Sequence, residues 1–325
     1  MADRRRWWYV LLGLVVSLAL GFWVLQQIQG TLVVAAFRET RPLPLAGAVL
    51  CFTLALMTRA RAWQVLLGQK VRFAPVFWSL MVGFLFTTLL PFRLGEVVRV
   101  AALHQTARVP WALGFSSVAV ARLTDAGLLA LMVAATAPRV WRGPALLQKV
   151  EFWLVVALVG VLGVWLAVKT RHRLSAWLEA RLPAEWVASR PWQAMKGILD
   201  TLAPLEDPGV WARLLFWKGL TWGLLVLEHW LLLRLWFPQA TLTWSAWLVG
   251  VASLGVALPS APGHVGVVEA SIVAALRPFG VDPNRALALA LVKHAIYLGV
   301  TTLLGLFGVG YTGVQPLRKA KDQTT

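Results

Sequence analysis

The sequence predicts an all-α, polytopic membrane bundle of about six full spans plus two Pro/Gly-broken re-entrant hairpins. Three observations predict it. Apolar runs near the ~20 residues that a spanning helix needs recur along the chain. Two further runs are interrupted by proline and glycine. The composition is 59% apolar and 14% charged, well outside soluble averages, so lipid is the solvent for most of the chain.

Taken in order, Arg4, Arg5 and Arg6 precede a first span over residues 7–28, which is too long for a signal-peptide core and lacks a small-residue cleavage site. A second span covers 43–67 and is basic in its lower half. The first broken segment runs from Phe73 to Leu90, meets Pro91, and resumes after Gly95 as a short helix to Leu103. Spans at 112–137 and 151–168 follow. The stretch 169–211 reads as a cytoplasmic loop, with Leu174, Trp177, Leu178 and Leu182 at helical spacing opposite Arg173, Glu179 and Arg181, the pattern of a helix lying in the membrane interface. A span at 212–237 leads to the second broken segment, from Trp244 to Leu258, through Pro259, Pro262, Gly263 and Gly266, and on to Leu276. The last span is 286–311, and residues 1–325 form a single membrane domain.

Lysine and arginine orient these pieces, because cytoplasmic loops hold the excess. The N-terminal arginines, the run Arg59, Arg61, Lys70 and Arg72, the basic 169–211 stretch, and Arg318, Lys319 and Lys321 all place their segments inside. Both termini are thus expected in the cytoplasm of a cell whose inner membrane holds the protein. The six clear spans satisfy that if each broken segment returns to its own side, the first from the cytoplasm and the second from outside, which suggests an inverted repeat. The alternative is eight full spans, with prolines that kink two of them.

Composition also excludes classes. A net charge of +17 and a pI near 11.4 would mark a soluble chain as a nucleic-acid binder, but the basic residues are spread through connections and the acidic partner expected is the lipid surface. The 19 tryptophans, among them Trp7, Trp8, Trp63, Trp141, Trp211, Trp236 and Trp244, flank apolar runs, as headgroup-level indoles do. Cys51 is the only cysteine, so no disulfide can form within the chain. Gly308-Val309-Gly310-Tyr311-Thr312-Gly313 fits a dinucleotide fingerprint in letters but closes a membrane helix. The scattered histidines give no metal-site spacing, there is no phosphate loop, and no cofactor is expected.

Charge inside apolar segments carries the chemistry. After Pro91, the residues Arg93, Glu96 and Arg99 follow at three-residue spacing on one helical face, with Gly95 permitting close backbone approach. An arginine at mid-bilayer costs about 2.5 to 3.5 kcal/mol on insertion scales, so such a stripe calls for a protein-lined or watery cavity. In the second break, prolines and glycines free backbone groups that need partners at membrane depth, and Glu269 stands alone on an apolar helix. Arg122 with Asp125 at i and i+3, Glu228 with His229, and Lys293 with His294 and Tyr297 lie within spans. Arg122 and Asp125 can pair along one helix, and Trp230 and Arg234 suggest that Glu228 sits near the interface.

The pattern Pro91-x-Arg93-x-Gly95-Glu96-x-x-Arg99, the later Arg122-x-x-Asp125 and the Pro/Gly-rich turn ending in Glu269 resemble the flippase-like membrane family that includes the transmembrane region of lysylphosphatidylglycerol synthetases. The resemblance covers roughly residues 7–311 and implies a lipid substrate. The sequence departs from bifunctional members in its short polar tail, without room for an aminoacyltransferase domain, and in His264, where the family's turn would have glycine. The expectation is a lipid-binding or lipid-translocating protein rather than an enzyme. Arg93, Arg99, Arg122 and Lys293 would hold an anionic headgroup, Glu96, Asp125 and Glu269 would balance charge or carry a proton, and Pro91, Gly95, Pro259, Pro262, Gly263 and Gly266 would shape the turns. The rivals are an integral-membrane enzyme using Glu96, Asp125 or Glu269 as general base, and a non-catalytic partner of a lipid glycosyl- or aminoacyltransferase.

Overall fold

In a computed structural model, residues 41–68, 71–89, 94–140, 203–256 and 262–313 are described, together with individual residues between 169 and 196. The expected spans 7–28 and 151–168, and Pro91, Arg93 and Pro259, lie outside the described residues. Every regular element among those described is helical: α1 (Pro42–Leu67), α2 (Phe73–Leu89), α3 (Gly95–Ala107), α4 (Trp111–Val140), α5 (Pro208–Trp236), α6 (Leu242–Val256), α7 (Val267–Leu276) and α8 (Pro283–Thr312), with a single helical turn at Ala184–Val187 and short 3-10 turns at Ala203–Glu206, Pro262–His264 and Arg277–Phe279.

Length separates two kinds of helix. Helices α1, α4, α5 and α8 have 26 to 30 residues and are apolar enough to cross a membrane. At 1.5 Å per residue they exceed the ~30 Å hydrocarbon core. Helices α2, with 17 residues, and α6, with 15, fall short of it. The long helices start where local chemistry permits: Pro208 and Pro283 occupy first-turn positions, and Asp207 and Asp282 accept the free N–H groups of Gly209 (2.8 Å) and of Asn284 and Arg285 (3.0 and 3.1 Å). Helix α3 extends to Ala107, four residues beyond the expected Leu103, because nothing in Gln105-Thr106-Ala107 breaks it before left-handed Arg108 and Pro110.

Each short helix folds back on its successor. Gly83 lies against Arg99 and Thr87 against Gly95, so α2 and α3 run antiparallel. Gly255 lies against Ser271, and Trp247 donates to the Ala275 carbonyl at 2.9 Å, so α6 and α7 do the same. The α2–α3 crossing depends on glycine: a Cβ at Gly95 would come 2.1 Å from the carbonyl oxygen of Gly83. Helix α1 packs chiefly on α5, α2 on α3 and α8, and α4 on α6, around a shared apolar core that includes Leu80, Leu232, Leu248 and Leu289. Buried polar contacts tie the spans where lipid offers no alternative partner, as between Thr58 and Thr221 (2.9 Å) and from Trp63 Nε1 to Ser117 Oγ (2.9 Å). In the polar stretch before α5, hydrogen bonds from Lys196 (2.8 Å) and Trp192 (3.3 Å) hold the Glu179 carboxyl below the usual carboxylate range.

Candidate functional site

Both interrupted segments open onto one cavity of about 410 Å³ between α1, α2, α4, α5, α6 and α8. Helix α3 brings Glu96 and Arg99, one turn apart, and α4 brings Arg122 and Asp125. Helix α1 contributes Arg59, and α8 contributes Lys293, His294 and Tyr297. The turn Pro262–His264 packs against α2, with Gly263 next to Thr88, and presents His264 to the same space.

The carboxylate of Glu96 sits between two guanidiniums. Arg99 Nη2 meets one oxygen at 2.7 Å and Arg122 Nη2 donates to the other. The expected pair along α4 therefore does not form: Arg122 turns to α3, while Asp125 accepts from Lys218 Nζ at 2.7 Å and Trp222 Nε1 at 3.2 Å, both on α5. Lys218, only 2% exposed, also donates to the Ala121 carbonyl at 3.0 Å. Arg99 is stacked over Trp63, 4.8 Å from its ring centre, which the Ser117 contact fixes in orientation. Arg59 lies near Phe84 and Trp222, at 5.9 and 5.6 Å, and among the described residues it has no carboxylate partner. The Nε atoms of Arg59 and Arg99 are buried without a hydrogen-bond partner.

The other side of the cavity is organised differently. Glu228 is fully buried, 3.3 Å from Lys293 Nζ on α8 and 3.2 Å from His229 Nδ1, and faces the bundle interior. Lys293 Nζ also stands over the rings of Phe52 (4.7 Å) and Tyr297 (5.8 Å). Glu269 does not stand alone and lies behind the cavity wall. Its Oε2 accepts the Gly266 N–H at 2.7 Å and its Oε1 meets His294 Nδ1 at 2.6 Å, while His294 Nε2 donates to the Gly263 carbonyl at 2.8 Å. One Glu–His pair thus stitches both ends of the turn to α8. Gly263, His264 and Gly266 all have left-handed φ, at 72°, 58° and 83°, so the histidine holds a conformation natural to glycine.

The structure therefore brings Glu96, Arg99, Arg122, Asp125 and Lys293 to one cavity with Gly95, leaves Pro262, Gly263, Gly266 and Glu269 off its lining, in the turn and helix start behind the wall, and adds Arg59 and Trp222 to the lining and Lys218 as the partner of Asp125. Arg59, Lys218 and Trp222 carry a readable signal. Phe52, Leu56, Arg59 and Trp63 recur at helical spacing on one face of α1, and Lys218, Trp222, Leu225 and His229 do so on α5, so each cation lies on an inward stripe rather than in a loop.

A family model for the lysylphosphatidylglycerol synthase TM region matches residues 10–305. The chain belongs to that family. No curated protein matches the sequence significantly. Membership, four apolar helices long enough to span and the ionic cavity describe a membrane-embedded helical protein whose family is related to lipid modification or transport.

Proposed function

We propose that this protein binds the phosphate of an anionic lipid headgroup in the cavity and moves that lipid between leaflets. The observation that carries the reading is the set Arg59, Arg99 and Arg122 around one cavity inside an apolar bundle, with two Nε donors buried and unpartnered. Guanidinium forks suit phosphate oxygens, and a cavity in an apolar bundle that gathers more guanidiniums than carboxylates suits an anion. Glu96 holds two of the forks in place, and Arg93, from the same sequence motif, is assigned to the same headgroup. The α2–α3 and α6–α7 pairs act as re-entrant hairpins from opposite sides, supported by their short first helices and by the contact between the Pro262–His264 turn and α2. Both termini and the 169–211 stretch face the cytoplasm of the inner membrane, with Trp177 and Trp186, both exposed, resting in the interface.

The test is reconstitution into liposomes that contain a fluorescent phosphatidylglycerol, with its movement followed by chemical quenching of the outer leaflet. The unaltered protein accelerates exchange, Arg99→Ala abolishes it, and Arg99→Lys is nearly as damaging because a point donor cannot replace a fork. Exchange at the protein-free rate, together with no lipid retained on purification, would refute the reading.

A further inference from the structure

We propose that the cavity holds the headgroup phosphate at two stations in turn. The arginine cluster forms one. Lys293, over the rings of Phe52 and Tyr297, forms the other, and it serves the passage of the headgroup, not its capture. This rests on the preceding reading, that the cavity takes a lipid phosphate, and adds a second binding site and the route between the two.

Helix α1 measures the separation. Lys293 Nζ stands 4.7 Å from the ring centre of Phe52, Arg59 lies two turns further along the helix, and Arg99 stacks on Trp63 one turn beyond that. From the rise per residue, Arg59 is about 10 Å and Trp63 about 16 Å from Phe52 along the axis. Helix α5 is a second ruler. It runs antiparallel to α1, since Thr58 meets Thr221 and Gly47 lies against Leu231. Its cavity-lining residues extend from Thr221 to His229, a span of about 12 Å. Between the two ends the wall consists of Ala55 and Leu56 on α1 and Leu225 on α5. An anion beside such a wall has lost water without gaining a partner, so a cation at the far end lowers the cost of crossing it.

Two lysines form ion pairs in this part of the bundle, and they are attached differently. Lys218 is 2% exposed, meets Asp125 at 2.7 Å, donates to the Ala121 carbonyl at 3.0 Å, and does not line the cavity. Lys293 does line it, with a side chain 13% exposed. Its Nζ lies 3.3 Å from Glu228 and, among the described residues, has the two aromatic rings as its remaining contacts. An ammonium carries three donors, so this looser pair leaves donors for a phosphate oxygen. A lysine is also a point charge on a flexible stem and holds phosphate less rigidly than a guanidinium fork. That suits a transit site, which must release what it takes.

The experiment separates capture from passage, with every variant studied well below its melting temperature. Native mass spectrometry measures binding of phosphatidylglycerol against neutral diacylglycerol, and liposome quenching measures its exchange between leaflets. Arg99→Ala should lower both. Lys293→Gln should slow exchange about tenfold or more, the effect of losing a hydrogen bond to a charged group, while binding changes by less than about threefold. Because Lys293→Gln strands Glu228 in a dry site, the double variant Lys293→Gln/Glu228→Gln decides: it removes the ion pair whole and should show the same slow exchange with binding kept. Glu228→Gln alone keeps the lysine and should exchange lipid at the parent rate or faster. Parent-rate exchange in the double variant would overturn the inference, since Lys293 would then serve only the fold. A slowdown in Glu228→Gln equal to that of the double variant would overturn it as well, by assigning the effect to the pair and not to the lysine. So would a loss of binding in the double variant as large as in Arg99→Ala, because one phosphate would then touch both clusters at once. An unaltered protein that binds phosphatidylglycerol no better than diacylglycerol would instead refute the lipid-phosphate reading beneath it.

Discussion

The α2–α3 and α6–α7 helix pairs both interrupt an apolar run with proline and glycine and both end at the same cavity, yet they use their charged residues in opposite ways. In the first pair the backbone crossing is made by glycine against carbonyl, so Glu96 and Arg99 are released from structural duty and turn to the cavity. In the second, Glu269 is consumed by the fold, with one oxygen on Gly266 N–H and the other on His294, holding a left-handed turn in place. A charged residue next to a break in a membrane helix therefore has no fixed meaning. What decides is whether the backbone at the break satisfies itself or borrows a side chain.

Gly95→Ala is the largest expected effect. Its Cβ would meet the Gly83 carbonyl oxygen at 2.1 Å, so α2 and α3 must separate, and about 3 kcal/mol or more of stability should be lost, at or beyond the upper end of ordinary overpacking. Gly263→Ala has room, with its nearest neighbour at 3.7 Å, and costs only the left-handed backbone term of about 1 to 2 kcal/mol. Tryptophan-fluorescence melts in detergent should rank the two in that order. A Gly95→Ala protein as stable as the parent would mean that the close crossing does not hold the pair together.

A crossed comparison comes next in size. Glu269→Gln leaves the turn and His294 without a carboxylate and should lower stability by about 1.5 to 3 kcal/mol, the range for hydrogen bonds to charged groups, with little change in the lipid affinity of the folded protein. Glu96→Gln should leave the melting temperature closer to the parent's and change lipid binding instead, because the two arginines it holds lose their fixed spacing. Melts and lipid retention measured on both variants give the result. If Glu269→Gln changed binding more than stability, the division between the two pairs would collapse.

The sequence makes legible what depends on local pattern. The long spans follow from apolar length, and the one-turn spacing of Glu96 and Arg99 becomes a 2.7 Å ion pair as helical geometry requires. Pairing between helices is not local, and there the reading fails: Arg122 has Asp125 one turn away but reaches α3, and Asp125 takes a lysine 93 residues further on. In sequence Arg59 belongs to one basic run with Arg61, Lys70 and Arg72, although the first two point differently: Arg59 lines the cavity, and Arg61 lies over Phe73 at 4.1 Å. Glu228 has Trp230 two residues away in sequence and, in space, Lys293 of α8, which lines the cavity.

The smallest effect concerns His264, and it separates backbone from side chain within the second pair. At φ 58° the histidine occupies left-handed space, which costs a residue with a Cβ about 1 to 2 kcal/mol relative to glycine. At an ordinary position alanine is more stable than glycine by about 0.4 to 1 kcal/mol, because it restricts the unfolded chain. Both His264→Ala and His264→Gly remove the imidazole and whatever it touches, so the difference between the two variants isolates the backbone. If the stitched turn is held as described, the order reverses and His264→Gly melts above His264→Ala, with the gap closing once Glu269→Gln releases the turn. Alanine melting above glycine in the parent background would show that the chain at 264 is not held left-handed, and the role of Glu269 and His294 as its clasp would go with it.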